Sequence, residues 1–174
     1  GVIGVGGGEP DCNTPDDSKQ AGVDAIENNL TRDTPAAGTV ELRQAICQRM
    51  KEDCGLEYKP NQVIATSGAK HAVYIALRAL VNPGDEVILP IPCWVSYTEM
   101  IRLAGATPVF VPVRPDNYEL DLKAIEDAIT PRTKAIIICT PNNPTGAVYS
   151  EESLRKLAEL AVKHDLFIVA DEIY

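Results

Sequence analysis

The sequence predicts an α/β fold with an open, mostly parallel sheet and helices on both faces. Short apolar runs alternate with helix-spaced segments from about residue 62 onward, which is the pattern of βαβ units. The run "KAIIIC" is apolar without alternation, as expected of a strand buried on both faces. A hydrophobic content of 45% over 174 residues is enough for one substantial core.

The chain before residue 60 is predicted to be helical, with one break. A Gly-rich opening precedes a helix over 18–30, and "TRDTPAAG" ends that helix because it is rich in turn-forming residues. A second helix is then predicted from apolar residues at helical spacing: Leu42, Ala45, Ile46 and Met50.

The remaining elements alternate between strand and helix. They are, in order, the strand "QVIAT", a helix with Ala72, Ile75, Ala76, Ala79 and Leu80 on its apolar face, the strand "EVILP", a helix from about Val95 to Leu103, the extended run "TPVFVPV", the helix "LKAIEDAI" opened by Asp121, the strand "KAIIIC", a helix capped by Ser150, and the strand "FIVA".

Chemically useful residues follow four of the predicted strands. If these strands are parallel, their carboxyl ends share one edge of the sheet, which is where open α/β sheets bind ligands. The four segments are Ser67-Gly68-Ala69 at a helix N-terminus, "IPCW" with Trp94, "TPNNPTG", and Asp171. An anion cradle, an aromatic plane, a loop of amides and a carboxylate together predict a flat, heteroaromatic, phosphate-bearing ligand.

Each of these four segments also has a purely structural interpretation. Ser67-Gly68 can be a helix cap, and Trp94 can fill the core. The "PNNPTG" segment can be a tight loop, and Asp171 can bond a backbone amide. The prediction of a ligand site therefore depends on their order and common placement.

Composition argues against several classes of protein. With 25 acidic and 16 basic residues the net charge is −9, and no Lys/Arg cluster offers a nucleic-acid-binding face. No run approaches the ~20 apolar residues of a membrane span, and the N-terminus lacks the basic start of a signal peptide. The five cysteines include no C-x-x-C pair and no metal-ligand spacing, which favours reduced thiols in a cytoplasmic protein.

Six stretches together resemble one family, the pyridoxal-phosphate-dependent aminotransferases of class I/II and fold type I, and within it the bacterial aspartate-type branch. They occur in the family's order: "GGGEPDCNTP", "PAAGTVELR", "ATSGAKHA", "NPGDEVILPIPCWVSY", "TPRTKAIIICTPNNPTGAVYS" and "VADEIY". The resemblance implies that residues 1–17 are an extended substrate-loop segment on the small-domain side. Residues 18–174 are then a partial cofactor-binding large domain, truncated before completion.

The resemblance also implies a site for pyridoxal 5'-phosphate. The cofactor absorbs negative charge when its ring nitrogen is protonated, and a neighbouring carboxylate favours that charged form. Asp171 matches the position that contacts the ring nitrogen, Asn143 and Tyr174 match those at the phenolic oxygen, and Trp94 matches the residue that stacks on the ring. The positions that match the phosphate site are Gly68, Ala69 and Lys70. Those that match the substrate site are Gly8, Lys70, Trp94 and Asn143.

The expected reaction is transamination between an amino acid and a 2-oxo acid. In the bacterial branch a lysine at the position of Lys70 reaches the distal carboxylate, which favours aspartate or another dicarboxylic amino acid. A solvated first-turn lysine is the alternative for Lys70.

Two departures from the family pattern are the absence of its Schiff-base lysine and of its carboxylate-binding arginine. This fragment is therefore expected to be inactive alone. The family is usually homodimeric, but Asp33 replaces a tyrosine that reaches the neighbouring subunit's phosphate.

Three alternatives remain open at this point. Other fold-type-I enzymes, such as a C–S lyase, a decarboxylase or a synthase, share the scaffold. A non-catalytic binding module is also possible, although no DNA-binding segment is attached. The dinucleotide fingerprint suggested by Gly4 and Gly6 is disfavoured because Glu9 stands where its third glycine belongs and Pro10 follows.

Overall fold

The computed structural model describes Gly8 and residues 10–174, and the chain divides into two compact units. The first ends at Ile64 and the second is Ala65–Tyr174. The predicted domain boundary after residue 17 stays a prediction. The rejected fingerprint at Gly4, Gly6 and Glu9 lies outside the described residues.

The first unit begins with helix α1, Asp16–Glu27. It starts two residues before the predicted 18–30 helix, with Pro15 at its N-cap and two acidic residues in its first turn, where the helix dipole favours negative charge. It ends earlier than predicted, because the chain turns at Asn29, whose φ is 58°.

Helix α2, Val40–Cys54, confirms the second predicted helix. The Thr39 hydroxyl accepts a hydrogen bond from the Leu42 backbone N–H, and Gly55 ends the helix in the left-handed conformation. A short 3-10 helix, Pro60–Gln62, follows, and the Arg43 guanidinium donates to the Pro60 carbonyl at 2.8 Å.

The second unit is a four-stranded parallel sheet in the order β2-β1-β3-β4, which confirms the predicted open parallel sheet. Its elements are α3 (Ala69–Leu80), β1 (Glu86–Ile91), α4 (Ser96–Leu103), β2 (Thr107–Pro112), α5 (Leu122–Asp127), β3 (Thr133–Cys139), α6 (Glu151–His164) and β4 (Phe167–Asp171).

The predicted caps of α5 and α6 are confirmed. The Asp121 carboxylate accepts from the Ala124 N–H at 3.0 Å, and the Ser150 hydroxyl accepts from the Ser153 N–H at 3.2 Å. Each side chain satisfies an N–H group that has no partner within its helix. These local hydrogen bonds fix where each helix begins.

Strand β3 is buried on both faces, as its unbroken apolar run predicts. Ala135 and Ile137 join a core with α3 and α4, whereas Ile136 and Ile138 join a second core with α5 and α6. Helices therefore cover both faces of the sheet. Among the described residues no helix is both long and apolar enough to cross a membrane.

The predicted strand "QVIAT" is wrong. Residues 62–66 belong to no strand, and none of the four strands of the sheet pairs with them. A strand needs a neighbour with which to exchange backbone hydrogen bonds, and a short apolar run carries no information about that neighbour. The segment Ser67-Gly68-Ala69 therefore leads into α3 without following a strand.

The predicted apolar face of α3 is also wrong, because the helix buries a different side. Val73 and Leu77 are the buried residues of this helix, whereas Ala72 and Ala79 are exposed. Val73 and Leu77 are one turn apart and bulkier than the alanines, so they supply most of the area that can be buried. Because α3 is apolar around most of its circumference, periodicity alone left its orientation undetermined.

Candidate functional site

The order of the strands identifies one place on the sheet as a candidate ligand site. The chain leaves β1 for β2 on one side and then returns to form β3 on the other side of β1. The connections from β1 and β3 therefore depart in opposite directions, which is the arrangement at which open α/β sheets form a ligand-binding crevice. The segments that follow β1, β3 and β4 all lie at this edge, as predicted from the sequence.

Asn142 joins the loops that follow β1 and β3. Its side chain is buried, and its amide nitrogen donates to the Pro92 carbonyl at 3.1 Å and to the Thr145 hydroxyl at 2.9 Å. The Pro92 carbonyl lies fifty residues earlier in the chain. This role of Asn142 is not predictable from the sequence, because "PNNPTG" contains two adjacent asparagines and either is suited to it.

Asp171 is the last residue of β4, beside Cys139 at the end of β3. Its carboxylate is buried, with 8% of the residue exposed. One oxygen, Oδ2, accepts from the Tyr97 hydroxyl at 2.7 Å, and the other, Oδ1, accepts from the Ile173 backbone N–H at 3.2 Å. The carboxylate is therefore held from two directions by two donors.

Tyr97 is a second residue at this edge to which the sequence assigned no role. It lies in the first turn of α4 and is only 2% exposed. Burial raises the pKa of its hydroxyl well above the ordinary value, and the hydrogen bond to Asp171 raises that pKa further. Tyr97 follows Trp94 by three residues, a spacing that places two side chains on one side of a helical turn. This spacing is the feature of the sequence from which a contact between Tyr97 and Trp94 could be predicted.

Trp94 lies between Tyr97 and Lys70. The Trp94 and Tyr97 rings meet edge to face, with centroids 5.3 Å apart and planes at 88°. The Lys70 ammonium nitrogen lies 5.0 Å from the centroid of the Trp94 ring, within the range of a cation–π interaction. These contacts form one connected group that runs from Lys70 to Asp171.

Asn143 and Tyr174 form a second pair at the same edge. The Asn143 side-chain amide donates to the Tyr174 hydroxyl at 3.2 Å. Asn143 follows β3, and Tyr174 follows β4 by three residues. We call the six residues of the two groups the edge site: Lys70, Trp94, Tyr97, Asn143, Asp171 and Tyr174.

The N-terminus of α3 depends on Gly68. This residue has φ 84° and ψ 165°, a region that is almost closed to residues with a Cβ. The first backbone bond of the helix runs from the Ala72 N–H to the Gly68 carbonyl. The N–H groups of Ala69 and Lys70 lie before that bond, so they have no carbonyl partner within the helix.

Gly68→Ala is expected to lower the free energy of unfolding by about 1–3 kcal/mol, because a Cβ strains this conformation. Gly22→Ala in α1 is the matched control. Nothing lies within 4 Å of its added Cβ, and alanine should stabilise that helix by about 0.5–1 kcal/mol. Urea unfolding of both variants provides the measurement. Destabilisation of similar size in both variants would contradict the conformational argument.

A cavity of about 640 Å³ lies between α3 and α4, next to the edge site. Lys70 borders this cavity and also contacts Trp94. The other residues that line it are Ser67, His71, Tyr74, Val95, Ser96, Glu99, Met100 and Leu103. The cavity therefore has at its boundary a cation that also contacts Trp94.

Two residues discussed in the sequence analysis belong to the first unit. Gly8 is exposed, and nothing lies within 4 Å of a Cβ built on it. Its binding of the substrate carboxylate stays a prediction. Asp33 is exposed in the loop after α1, and its effect on a contact between subunits also stays a prediction.

The chain is similar to known proteins over nearly all of its length. A family model described as aminotransferase class I and II matches residues 1–174. An aspartate aminotransferase of Bacillus sp. (strain YM-2) is 47% identical over 99% of this chain and 44% of its own length. A probable aspartate/prephenate aminotransferase of Aquifex aeolicus (strain VF5) is 45% identical, with the chain covering 44% of it.

A solved structure of the aspartate aminotransferase from Thermus thermophilus with maleate is also similar. The TM-score is 0.93 at 46% sequence identity, and the match covers 97% of this chain and 44% of that chain. This chain therefore spans less than half the length of each of these relatives.

Proposed function

Because the chain belongs to the class I and II aminotransferases and has their type I fold, we propose that the full-length protein transfers an amino group between an amino acid and a 2-oxo acid. The cofactor that we propose is pyridoxal phosphate. One observation supports this proposal above the others, namely the buried, doubly hydrogen-bonded carboxylate of Asp171 at the tip of β4.

The donor set of the edge site fits this cofactor. An ionised carboxylate has about four lone-pair positions, and Tyr97 and Ile173 occupy two of those on Asp171. The others can accept a proton shared with a ring nitrogen. A buried negative charge next to that nitrogen favours its protonated form. When bound, pyridoxal phosphate supplies an electron sink for the charge left at the substrate's α-carbon.

Three further groups would hold the rest of the cofactor. The Asn143 amide and the Tyr174 hydroxyl are donors suited to the phenolic oxygen, and they already lie 3.2 Å apart. The N-terminus of α3 offers backbone N–H groups and the positive end of a helix dipole to the phosphate, next to Gly68. The Trp94 indole offers a flat surface for stacking on the ring.

We propose a dicarboxylic amino acid, aspartate in particular, as the preferred substrate. Lys70 supports this choice because its ammonium group lies at the Trp94 ring and at the boundary of the adjacent cavity. A second carboxylate can pair with that ammonium. The names of the relatives are consistent with this choice, since two of those described are aspartate aminotransferases, one of them solved with the dicarboxylate maleate. Prephenate is a second candidate, since one relative is named for it.

Lys70→Ser in the full-length protein is expected to lower kcat/KM for aspartate by roughly ten- to hundredfold, the loss of one charge-assisted hydrogen bond. For an aromatic amino acid, which lacks the distal carboxylate, we expect a change of no more than about threefold. Steady-state kinetics with both donors measures the difference. Lys156→Ser on the exposed surface of α6 serves as the control, and equal losses with the two donors would contradict the assignment.

The proposed activity is tested by incubating the full-length protein with pyridoxal phosphate, aspartate and 2-oxoglutarate. A 2-oxo acid and an aminated acceptor in equal amounts support transamination. Release of ammonia and a thiol would instead indicate a C–S lyase, and release of carbon dioxide a decarboxylase. Cofactor binding without turnover of any amino acid would indicate a binding module.

We also propose a cytoplasmic location and a homodimer for the full-length protein, both on the basis of the family resemblance. The dimer is checked by light scattering of the full-length protein with and without cofactor. A mass of one subunit at micromolar concentration in both conditions would contradict it.

A further inference from the structure

We propose that Tyr97 is a positioning residue that directs the carboxylate of Asp171 towards the ring nitrogen of the cofactor. This inference rests on the proposed function, because it assigns Tyr97 a part in the binding of pyridoxal phosphate. It concerns a residue that ends the quoted stretch "NPGDEVILPIPCWVSY" and to which the sequence assigned no role.

The contact is short and removed from solvent. The Tyr97 hydroxyl donates to Asp171 Oδ2 at 2.7 Å, and the two residues are 2% and 8% exposed. They come from α4 and β4, which are separated by 74 residues in sequence. A hydrogen bond from a neutral donor to a carboxylate is stronger than one between neutral groups, and burial reduces competition from water.

The direction of the hydrogen bond follows from the surrounding groups. The Cys139 thiol also lies near the Tyr97 hydroxyl, but it donates its own proton to the Pro141 carbonyl at 3.2 Å. The Tyr97 hydroxyl has one proton, and the Asp171 carboxylate is the stronger acceptor beside it. Tyr97 is therefore the donor and Asp171 the acceptor.

Burial and the neighbouring carboxylate raise the pKa of Tyr97 above its ordinary value, so the hydroxyl keeps its proton throughout the neutral pH range. A permanent donor at this position holds one oxygen of the Asp171 carboxylate in place. When a carboxylate and a ring nitrogen share one proton, a donor to the carboxylate shifts that proton towards the nitrogen. Tyr97 would thus favour the protonated ring on which the cofactor's chemistry depends.

Tyr97→Phe isolates the hydroxyl group, because the phenylalanine ring can keep the edge-to-face contact with Trp94. The experiment measures binding to the full-length protein of two ligands that lack the reactive aldehyde. They are pyridoxamine phosphate and an analogue in which C–H replaces the ring nitrogen. The wild type and the Tyr97→Phe variant are each titrated with both ligands.

The Tyr97→Phe variant is expected to bind pyridoxamine phosphate roughly tenfold more weakly than the wild type, as for loss of one hydrogen bond to a charged group. Its affinity for the analogue should change less than about twofold, because the analogue has no ring nitrogen to share a proton. In addition, the 15N chemical shift of bound, labelled pyridoxamine phosphate should move towards the unprotonated value. Tyr118→Phe, at a 47% exposed tyrosine, serves as the control and should change neither affinity.

Each outcome has a distinct meaning. Equal weakening for both ligands, or an unchanged 15N shift, would assign Tyr97 a purely structural role and overturn the inference alone. Failure of the wild type to bind pyridoxamine phosphate would overturn the proposed function and the inference with it. If Tyr97→Phe does not fold, fluorotyrosine at position 97 replaces it. A stronger donor there should tighten pyridoxamine phosphate binding selectively, and unchanged binding would overturn the inference.

Discussion

Asp171→Asn in the full-length protein is expected to lower kcat/KM for the proposed transamination by about a hundred- to several-thousandfold, which corresponds to the loss of one partner of a buried charge pair. Asparagine has nearly the same shape as aspartate, and its side-chain oxygen can still accept the Tyr97 hydrogen bond. Its NH2 group then faces the Ile173 N–H, so the change removes the charge and that backbone hydrogen bond while the shape of the side chain is kept. Without the negative charge, a bound ring nitrogen has no buried counter-charge to favour its protonation.

The measurement is steady-state kinetics of the full-length variant, with cofactor content determined for the same samples. Asp165→Asn is a matched control, because Asp165 is exposed and its left-handed backbone, φ 53°, suits asparagine equally well. We expect this control to retain activity within about twofold of the wild type. A fully active Asp171→Asn variant would remove the main support for the proposed mechanism.

Leu157→Ala is expected to lower the free energy of unfolding by about 2–5 kcal/mol. Leu157 lies on α6 and is completely buried in the core that contains Ile136 and Ile138 of β3. Removal of three carbon atoms leaves a cavity that a well-packed core fills only in part. The adjacent strand, β3, carries the loop of the edge site, so activity at elevated temperature should fall as well.

Urea unfolding of the full-length protein measures this effect. Val162→Ala lies on the same helix and is the control, since Val162 is 84% exposed and its truncation should cost less than about 0.5 kcal/mol. For Leu157→Ala the urea concentration at the unfolding midpoint should fall. The slope of the unfolding free energy against urea concentration should stay constant, because the surface exposed on unfolding hardly changes. Similar shifts for the two variants would show that α6 does not pack on the sheet as described.

The parallel sheet was predictable because its strands leave strong local signals. The run "KAIIIC" has no polar position within its apolar residues, and β3 is buried on both faces. Asp121 and Ser150 precede their helices with side chains able to cap them, and both do so. Signals of this kind depend on neighbouring residues, which the sequence contains. The strand predicted over 62–66 failed because pairing depends on a distant segment.

The edge site could be assembled only in part from the sequence. Motif order brought Trp94, Asn143 and Asp171 into one proposal, and the structure places them at one edge of the sheet. Tyr97 and Asn142 were missed, because their partners are 74 and 50 residues away and no spacing rule connects them. The side chains that position a site are therefore harder to predict than those at strand ends.

The hydrogen bond from the Asn142 side chain to the Pro92 carbonyl joins two loops that are fifty residues apart in sequence. Since the walls of the crevice come from distant parts of the chain, they exist only after the sheet has formed. A ligand that recognises both walls then binds native molecules alone and protects them by mass action. Loss of the proposed cofactor on gentle heating would thus report loosening of the sheet before any helix melts.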